Sequence, residues 1–181
     1  LPSSGELLAE RRRLAADGWE VTGDALDLPR GRFESDADGG RPRIAIVAGP
    51  GAVGALRHEL AHRFSLAVHG ELPAWLDEGL AEHLRLLHDP AGTGQAAREL
   101  SDLVEARRAV PLPELLALDS AAFAQRRDAA YRTALALVRR LVAEGRIPSP
   151  RDLSQADAAA RHVAATMTLD ELASWFAESA R

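Results

Sequence analysis

Cysteine is absent from the 181-residue sequence. The chain therefore has no disulfide, no thiol nucleophile and no cysteine ligand, so a bound metal ion must be held by histidine, aspartate or glutamate. Lysine is absent as well, and every basic side chain is an arginine. Because alanine is abundant at the same time, we attribute this to a coding bias and infer no function from it.

A surplus of positive charge is also missing, since 22 basic residues face 27 acidic ones and the formal net charge is −5. Proteins that bind nucleic acid carry a basic patch, and the longest basic run here covers only Arg11 to Arg13. We therefore expect no nucleic-acid partner. The longest apolar run, over 44–56, contains glycine and proline and is shorter than the roughly 20 residues that cross a bilayer. We expect no membrane span.

The composition is that of a globular chain, with 46% hydrophobic and 27% charged residues. A length of 181 residues is enough for one domain with a substantial core. The sequence begins with Leu1 rather than methionine, which slightly favours an extracytoplasmic or secreted protein whose export signal has been removed. No sequence feature indicates an oligomeric state.

The pattern along the chain predicts an α+β fold in which a small N-terminal antiparallel sheet precedes a mostly helical part. Residues 5–17 have helical spacing, and the pieces WEV, ALDL, RFES and RIAIVAG alternate as short strands do. Helices are predicted over 52–69, 74–88, 94–108, 113–118, 128–144 and 168–179, the last with a capping box at Thr168. We divide the single domain, 1–181, into an N-terminal helix with short strands (1–42), a core (43–145) and C-terminal helices (146–181).

The segment HELAH at 58–62 has the pattern His-Glu-x-x-His. His58 and His62 are four residues apart, so on a helix their imidazoles lie on one face and can bind the same ion. Glu59 projects beside that ion, where a general base must lie to take a proton from metal-bound water. The alternative is that these are ordinary polar residues on an exposed helix face, because so short a pattern also arises by chance.

The helix around HELAH is predicted to be amphipathic, with Leu56, Leu60, Phe64 and Val68 available for the core. It follows a predicted strand and a glycine-rich turn, so it can be held firmly. This context favours the metal site over the exposed face.

Two histidines need a third ligand, and His69 is poorly placed to supply it. The longer pattern HExxHxxGxxH requires glycine at 65 and histidine at 68, where this chain has Ser65 and Val68. His69 shares the face of His62, but seven residues at about 1.5 Å rise put it roughly 10 Å further along the axis. That is too far for one zinc ion, and we expect His69 at the rim or on the surface.

The segment LPAWLDEGLAEHL at 72–84 offers a better third ligand, Glu78. Pro73 suits the start of a helix that can pack back against the first. Glu78 would then complete a His₂Glu set with one coordination position open, as in catalytic zinc sites. Glu82, one turn further on the same face, can accept a hydrogen bond from a ligating imidazole or simply face solvent. Asp77 is an alternative carboxylate but points about 100° away from Glu78.

We expect the other nearby histidines, His83 and His88, to lie on the surface.

HELAH followed by WLDEGLAEHL resembles the gluzincin clan of zinc metallopeptidases, and most of all the bacterial peptidase MA-like domains, where the second motif typically reads W-L-x-E-G-x-A-E-Y. The stretches 111–125 and 129–145 are similar to a helical segment of that family. The resemblance covers about residues 43–145 and implies a zincin fold there. It implies that His58, His62 and Glu78 bind one zinc ion, that Glu59 is the base and that Glu82 supports a histidine.

The same resemblance implies a role for Tyr131, which corresponds to the tyrosine that gluzincin aminopeptidases use to stabilise the developing oxyanion. A phenol can donate a hydrogen bond of this kind; the alternative is a half-buried helix tyrosine packing on Leu135 and Val138. Two departures stand out. His83 occupies the place of the family's usual tyrosine, and the Gly-x-Met-x-Asn motif of the aminopeptidase branch is missing. An endopeptidase is therefore favoured over an aminopeptidase.

The expected function is zinc-dependent hydrolysis of a peptide or protein substrate, with Glu59 activating a zinc-bound water. If RIAIVAG is an exposed edge strand, an extended substrate can pair with it. The alternative from another class is a catalytically silent zinc-binding or regulatory module, and the intact Glu59 counts against it. Peptide deformylase also uses HExxH, but it needs a cysteine ligand that this chain does not have.

Overall fold

The computed structural model describes residues 51–181 and the backbone of two short strands before them. Strand β1 (Gly31–Glu34) and strand β2 (Arg43–Ile46) pair antiparallel, with Gly31 opposite Ile46. Both strands fall within the predicted pieces RFES and RIAIVAG or at their edge. The predicted helix over 5–17 and the pieces WEV and ALDL lie outside the described residues.

Eight helices follow the strands in the described part of the chain. They are α1 (Ala52–His69), α2 (Ala74–Leu86), α3 (Pro90–Glu105), α4 (Leu112–Ala117), α5 (Ser120–Gln125), α6 (Arg127–Ala143), α7 (Ala156–Thr166) and α8 (Leu169–Ser179).

The expected α+β class is wrong. Helices account for 75% of the described residues 51–181, whereas β1 and β2 are four-residue strands in a single two-stranded ladder. A sheet defines a fold class when one of its faces buries a core against other elements. The hydrophobic core of the described residues runs from Trp75 to Phe176 and is formed by the helices and their connections. Short alternating pieces predict strands, but they do not show whether those strands build a layer.

Glycine and proline set the ends of the two helices that matter most for the site. Gly51 precedes α1 with φ of 92° and Gly70 follows it with φ of 74°, a left-handed region that side chains with a Cβ avoid. Pro73 then precedes α2 in an extended conformation. The chain therefore reverses within four residues, and α2 packs directly against α1.

The core of the described residues is centred on α6. Its residues Thr133–Val138 are buried all the way round the helix, and it packs against α2, α3, α4, α7 and α8. A helical stretch that has no solvent-facing side requires neighbours on every side, as these helices provide. Because α6 begins near His58 and continues into the core, it connects that part of α1 to the rest of the described chain.

The close approach of α2 and α6 depends on Gly79. A Cβ built on this residue would lie 2.6 Å from Cγ2 of Val138 and 2.9 Å from the backbone oxygen of Ala134. Only glycine allows the two helices to come this close.

The predicted core contribution of α1 is wrong for most of its large apolar side chains. Leu56, Leu60 and Val68 are 40%, 46% and 49% exposed. The buried residues of α1 are instead small or polar, namely Ala55, Glu59, Ala61 and Ser65. The face that meets α2 is the one that carries the histidines, so the apolar stripe points away from the described core.

Candidate metal centre

Helices α1 and α2 bring His58, His62 and Glu78 together. The two Nε2 atoms lie 3.0 Å apart, and Oε2 of Glu78 lies 3.4 Å from Nε2 of His58 and 3.5 Å from Nε2 of His62. With ligand distances of about 2.0–2.1 Å, two ligands of a tetrahedral zinc ion are about 3.3 Å apart. The three ligand atoms therefore form nearly the triangle that one such ion requires, and no other triad of this kind is found in residues 51–181.

One corner of this triangle, Oε2 of Glu78, has no hydrogen-bond donor of its own. Oε2 of Glu78 is buried without a hydrogen-bond partner, and an unsatisfied buried carboxylate oxygen is costly. Burial alone would raise the pKa of Glu78, but the two imidazoles outweigh it and hold the pKa well below its ordinary value. An ion bound between the three atoms would satisfy this oxygen, so the residues fit a metal.

Asp77 orients His62 from the side opposite the triangle. Its Oδ2 lies 2.8 Å from Nδ1 of His62, which favours the tautomer with the proton on Nδ1 and leaves the lone pair of Nε2 free for a metal. Burial lowers the pKa of His62, but the carboxylates of Asp77 and Glu78 raise it to about 10. The two carboxylates therefore stabilise a positive charge on the His62 imidazole.

The role of Asp77 is a functional feature that we do not predict from the sequence. Asp77 is considered there only as an alternative metal ligand, and its offset of about 100° from Glu78 counts against it. That same offset directs the carboxylate to the far nitrogen of the second histidine. The signal was the Asp-Glu pair itself, because neighbouring residues on α2 can serve the inner and the outer nitrogen of the same ring.

Glu82 faces His58, as the sequence predicts for a supporting carboxylate, and does not face solvent. Its Oε1 lies 3.2 Å from Nδ1 of His58, although the N–H direction is not aligned for a hydrogen bond and Nδ1 has no hydrogen-bond partner. We treat the pair as a close ionic contact. Glu82 is 5% exposed, so its position is fixed by the protein rather than by water.

Two arginines hold Glu82 in place. Arg85 donates to both of its oxygens, at 2.8 and 2.9 Å, and Arg132 donates to Oε2 at 3.0 Å. Arg132 also donates to Glu99 at 2.6 Å, so the network joins α2, α3 and α6. Burial alone would raise the pKa of Glu82, but its contacts with His58 and Arg85 lower it to about 2.

Glu59 lies next to His58 on α1 and is 7% exposed. Together with His58, Glu82 and Tyr131 it lines a cleft of about 980 Å³ between α1, α2, α3 and the start of α6. The predicted base therefore lines the same cleft as His58.

Tyr131 lies on the first turns of α6, beside His58. Its ring is parallel to that of His58, with the centroids 6.2 Å apart, and its other ring neighbour is Phe123 at 5.4 Å. Burial and then the Glu78 carboxylate raise the pKa of the Tyr131 phenol above its ordinary value. The phenol is therefore protonated at neutral pH and available as a hydrogen-bond donor beside Glu78.

The other histidines lie outside the triad. His69 donates from Nε2 to the backbone oxygen of Pro150 at 2.7 Å, which attaches the end of α1 to the loop before α7. His88 is exposed, as predicted. The predicted surface position of His83 is wrong: the residue is half-buried, and burial together with Arg139 lowers its pKa to about 4.

No protein-family model, curated protein or solved structure was found to match this chain. Among the described helices, none is both long and apolar enough to cross a membrane.

Proposed function

We propose that this chain hydrolyses peptide bonds with one zinc ion held by His58, His62 and Glu78. The observation that supports this most directly is the triangle of two Nε2 atoms and Oε2, with sides of 3.0, 3.4 and 3.5 Å. A His₂Glu set leaves one coordination position open, as catalytic zinc sites do. The resemblance of HELAH and WLDEGLAEHL to the gluzincin motifs supports the same proposal.

A zinc ion bound in this triangle supplies Lewis acidity, which polarises a carbonyl oxygen and lowers the pKa of water. Side chains of the protein carry out the remaining steps. Glu59, in the cleft beside His58, accepts the proton of the attacking water and then returns it to the leaving amine.

Tyr131 donates a hydrogen bond to the oxygen that becomes negative when water adds to the scissile carbonyl. Its raised pKa keeps the proton on the phenol, and the phenol lies close enough to interact with Glu78.

The substrate we propose is an extended peptide or protein segment. Within the described residues, β2 is paired with β1 alone, and both strands contact α1. A peptide in extended conformation could add to the second edge of β2 by backbone hydrogen bonds.

Metal analysis tests the ligand set. Purified wild-type protein is expected to bind one zinc ion, and Glu78→Ala is expected to bind zinc more than about 100-fold more weakly, beyond the 10- to 100-fold typical of outer partners. Glu71→Ala, which removes an exposed glutamate from the α1–α2 connection, is the matched control and is expected to bind as wild type. Equal zinc affinity of wild type and Glu78→Ala would contradict the ligand assignment.

A protease assay tests the reaction. The substrate is a mixture of unstructured peptides. Zinc-loaded Glu59→Gln is expected to keep its zinc and to cleave about 10²- to 10⁴-fold more slowly than wild type. Glu105→Gln, an exposed change at the end of α3, is the control. If zinc binds but neither wild type nor control cleaves any peptide, the chain is a zinc-binding module and not an enzyme.

A further inference from the structure

A second, smaller pocket opens beside the metal-binding residues. It has a volume of about 270 Å³, and both Glu78 and Tyr131 line it. Tyr131 and Arg127 also line the larger cleft that contains Glu59. The two cavities therefore adjoin at Tyr131 and Arg127, next to the triad.

The size and the walls of this pocket suit a single apolar side chain. Pockets that enclose a drug-sized ligand have volumes of roughly 300–1,000 Å³, and this one lies just below that range. Its apolar walls are formed by Leu72, Ala74, Phe123 and Ala124. A group that enters it therefore leaves water for apolar surface while its backbone stays near the metal ligands.

Arg127 is the cation available at the junction of the two cavities. Of the four arginines that line the larger cleft, Arg85 and Arg132 are bound to Glu82. Arg57 and Arg127 form no ion pair with any residue in the described part of the chain. Only Arg127 also reaches the smaller pocket.

Neighbouring residues in the described chain hold the guanidinium of Arg127 in place without accepting hydrogen bonds from it. Its central carbon lies 5.5 Å from the centroid of the Tyr131 ring, a cation–π contact that leaves the N–H donors free to meet a planar acceptor. Neither acidic residue that lines the smaller pocket pairs with it: Asp77 is bound to His62, and Glu78 lies against His58 and His62.

Arg127 is also close enough to the reacting bond to select a substrate. Tyr131 separates it from His58, and the two centroid distances are 5.5 and 6.2 Å. The guanidinium therefore lies within about 12 Å of the metal-binding imidazole, the length of three to four residues of extended chain.

We propose that the small pocket and Arg127 together form a substrate subsite that takes an apolar group and an adjacent carboxylate, within about three residues of the cleaved bond. This inference rests on the proposed peptidase function and adds its substrate class. The carboxylate can come from the C-terminus of a peptide or from an acidic side chain, and both would pair with the guanidinium through two parallel N–H···O bonds.

Binding of small probes tests the subsite without any need for turnover. The first pair is N-acetyl-phenylalanine and its primary amide, and the second is the amides of N-acetyl-glutamate and N-acetyl-glutamine. Dissociation constants are measured by NMR titration for the full chain as wild type, Arg127→Gln and Arg127→Lys, each with zinc content determined in the same sample. Arg126→Gln is the control, because Arg126 is the neighbouring residue but pairs with Glu114 and lines neither cavity.

Wild type and Arg126→Gln are expected to bind the acid of at least one pair roughly 10- to 100-fold more tightly than its uncharged partner, the size expected for a charge-assisted hydrogen bond. Arg127→Gln is expected to lose that preference, and Arg127→Lys to keep part of it. A preference in the first pair identifies a C-terminal carboxylate, and one in the second identifies an acidic side chain.

The subsite is refuted if neither pair shows a preference in wild type, or if the preference persists in Arg127→Gln, because the carboxylate would then be bound by the metal or another group. Failure of the proposed function would be seen separately, as zinc content near zero or as the absence of cleavage. The probes still report on Arg127 in that case.

Discussion

The proton on Nδ1 of His62 determines at the residue scale whether its other nitrogen can bind a metal. Nδ1–H of His62 donates a hydrogen bond to Oδ2 of Asp77, with 2.8 Å between the two atoms. Asp77→Asn is expected to lower zinc affinity about 10- to 100-fold, as losing an outer carboxylate typically does. The measurement is a competition titration against a zinc chelator, with Asp128→Asn as the control because Asp128 is an exposed acid that contacts no ligand. Equal affinities for the two variants would contradict the role of Asp77.

Without metal, His62 holds a proton in the folded protein. Its pKa is raised to about 10 from an ordinary value of 6.5, so its contribution to stability is complete below pH 6.5 and is lost as pH rises through about 10. Glu78 has a lowered pKa, so its contribution is complete above about pH 4.5 and is lost only as pH falls below that value. The metal-free protein is therefore expected to be most stable between about pH 5 and 6.5.

Urea denaturation of metal-free protein between pH 5.5 and 10 measures this slope. The free energy of unfolding is expected to fall by a few kcal/mol across the range, and His62→Gln is expected to flatten the curve. With saturating zinc the trend should weaken, since the ion replaces the proton between the ligands. A metal-free protein with the same stability at pH 6 and pH 10 would show that His62 is not protonated as described.

At the scale of elements, Gly79 sets the distance between α2 and α6. Gly79→Ala places a Cβ 2.9 Å from a backbone oxygen that cannot rotate away. We expect it to destabilise the fold by about 1–3 kcal/mol and to weaken zinc binding, because Glu78 lies on the same turn. Gly94→Ala on α3 is the matched control: its nearest new contact is the tip of Arg98 at 3.6 Å, and it should be neutral or stabilising by up to about 1 kcal/mol. Denaturant unfolding of both variants decides the point, and equal effects would contradict it.

The ends of several helices could be predicted from sequence because local residues determine them. Helix α1 spans 52–69 as expected, and the predicted capping box of α8 is formed by Thr168 and Glu171. Helices α5 and α7 were not predicted. The first is a single six-residue piece, and the second is an alanine-rich segment with few apolar side chains large enough to show a periodic pattern.

Which helix packs against which face is harder to predict from sequence, because this depends on contacts between residues that are far apart in the chain. The approach of His58, His62 and Glu78 followed from spacing on two helices. The arginine clamp on Glu82 did not, because Arg132 lies fifty residues away. The exposed position of Leu60 on α1 likewise follows from which side of that helix meets α2.

For the whole molecule, zinc binding is expected to act as a stabilising ligand. An ion that binds only the folded chain adds about 2.7 kcal/mol to the free energy of unfolding at a concentration 100 times its Kd. Thermal unfolding should therefore shift to higher temperature with zinc and back with a chelator. Glu78→Ala should show little of this shift, and Glu71→Ala should show all of it. An unchanged Tm in wild type would argue against a specific site.

The composition of α1 has a consequence for the order in which the molecule opens. Its inward face carries His58, His62 and small residues, while Leu56 and Leu60 point outward. In the described chain, apolar burial therefore contributes little to the packing of α1 on α2. A metal ion bound by His58, His62 and Glu78 would link the two helices. Backbone amides of α1 in metal-free protein should exchange with deuterium well before those of α6, and zinc should slow α1 selectively. If the metal ion holds α1 in place, loss of the ion would release α1 alone. The rest of the core would stay folded, and the protein could bind the metal again.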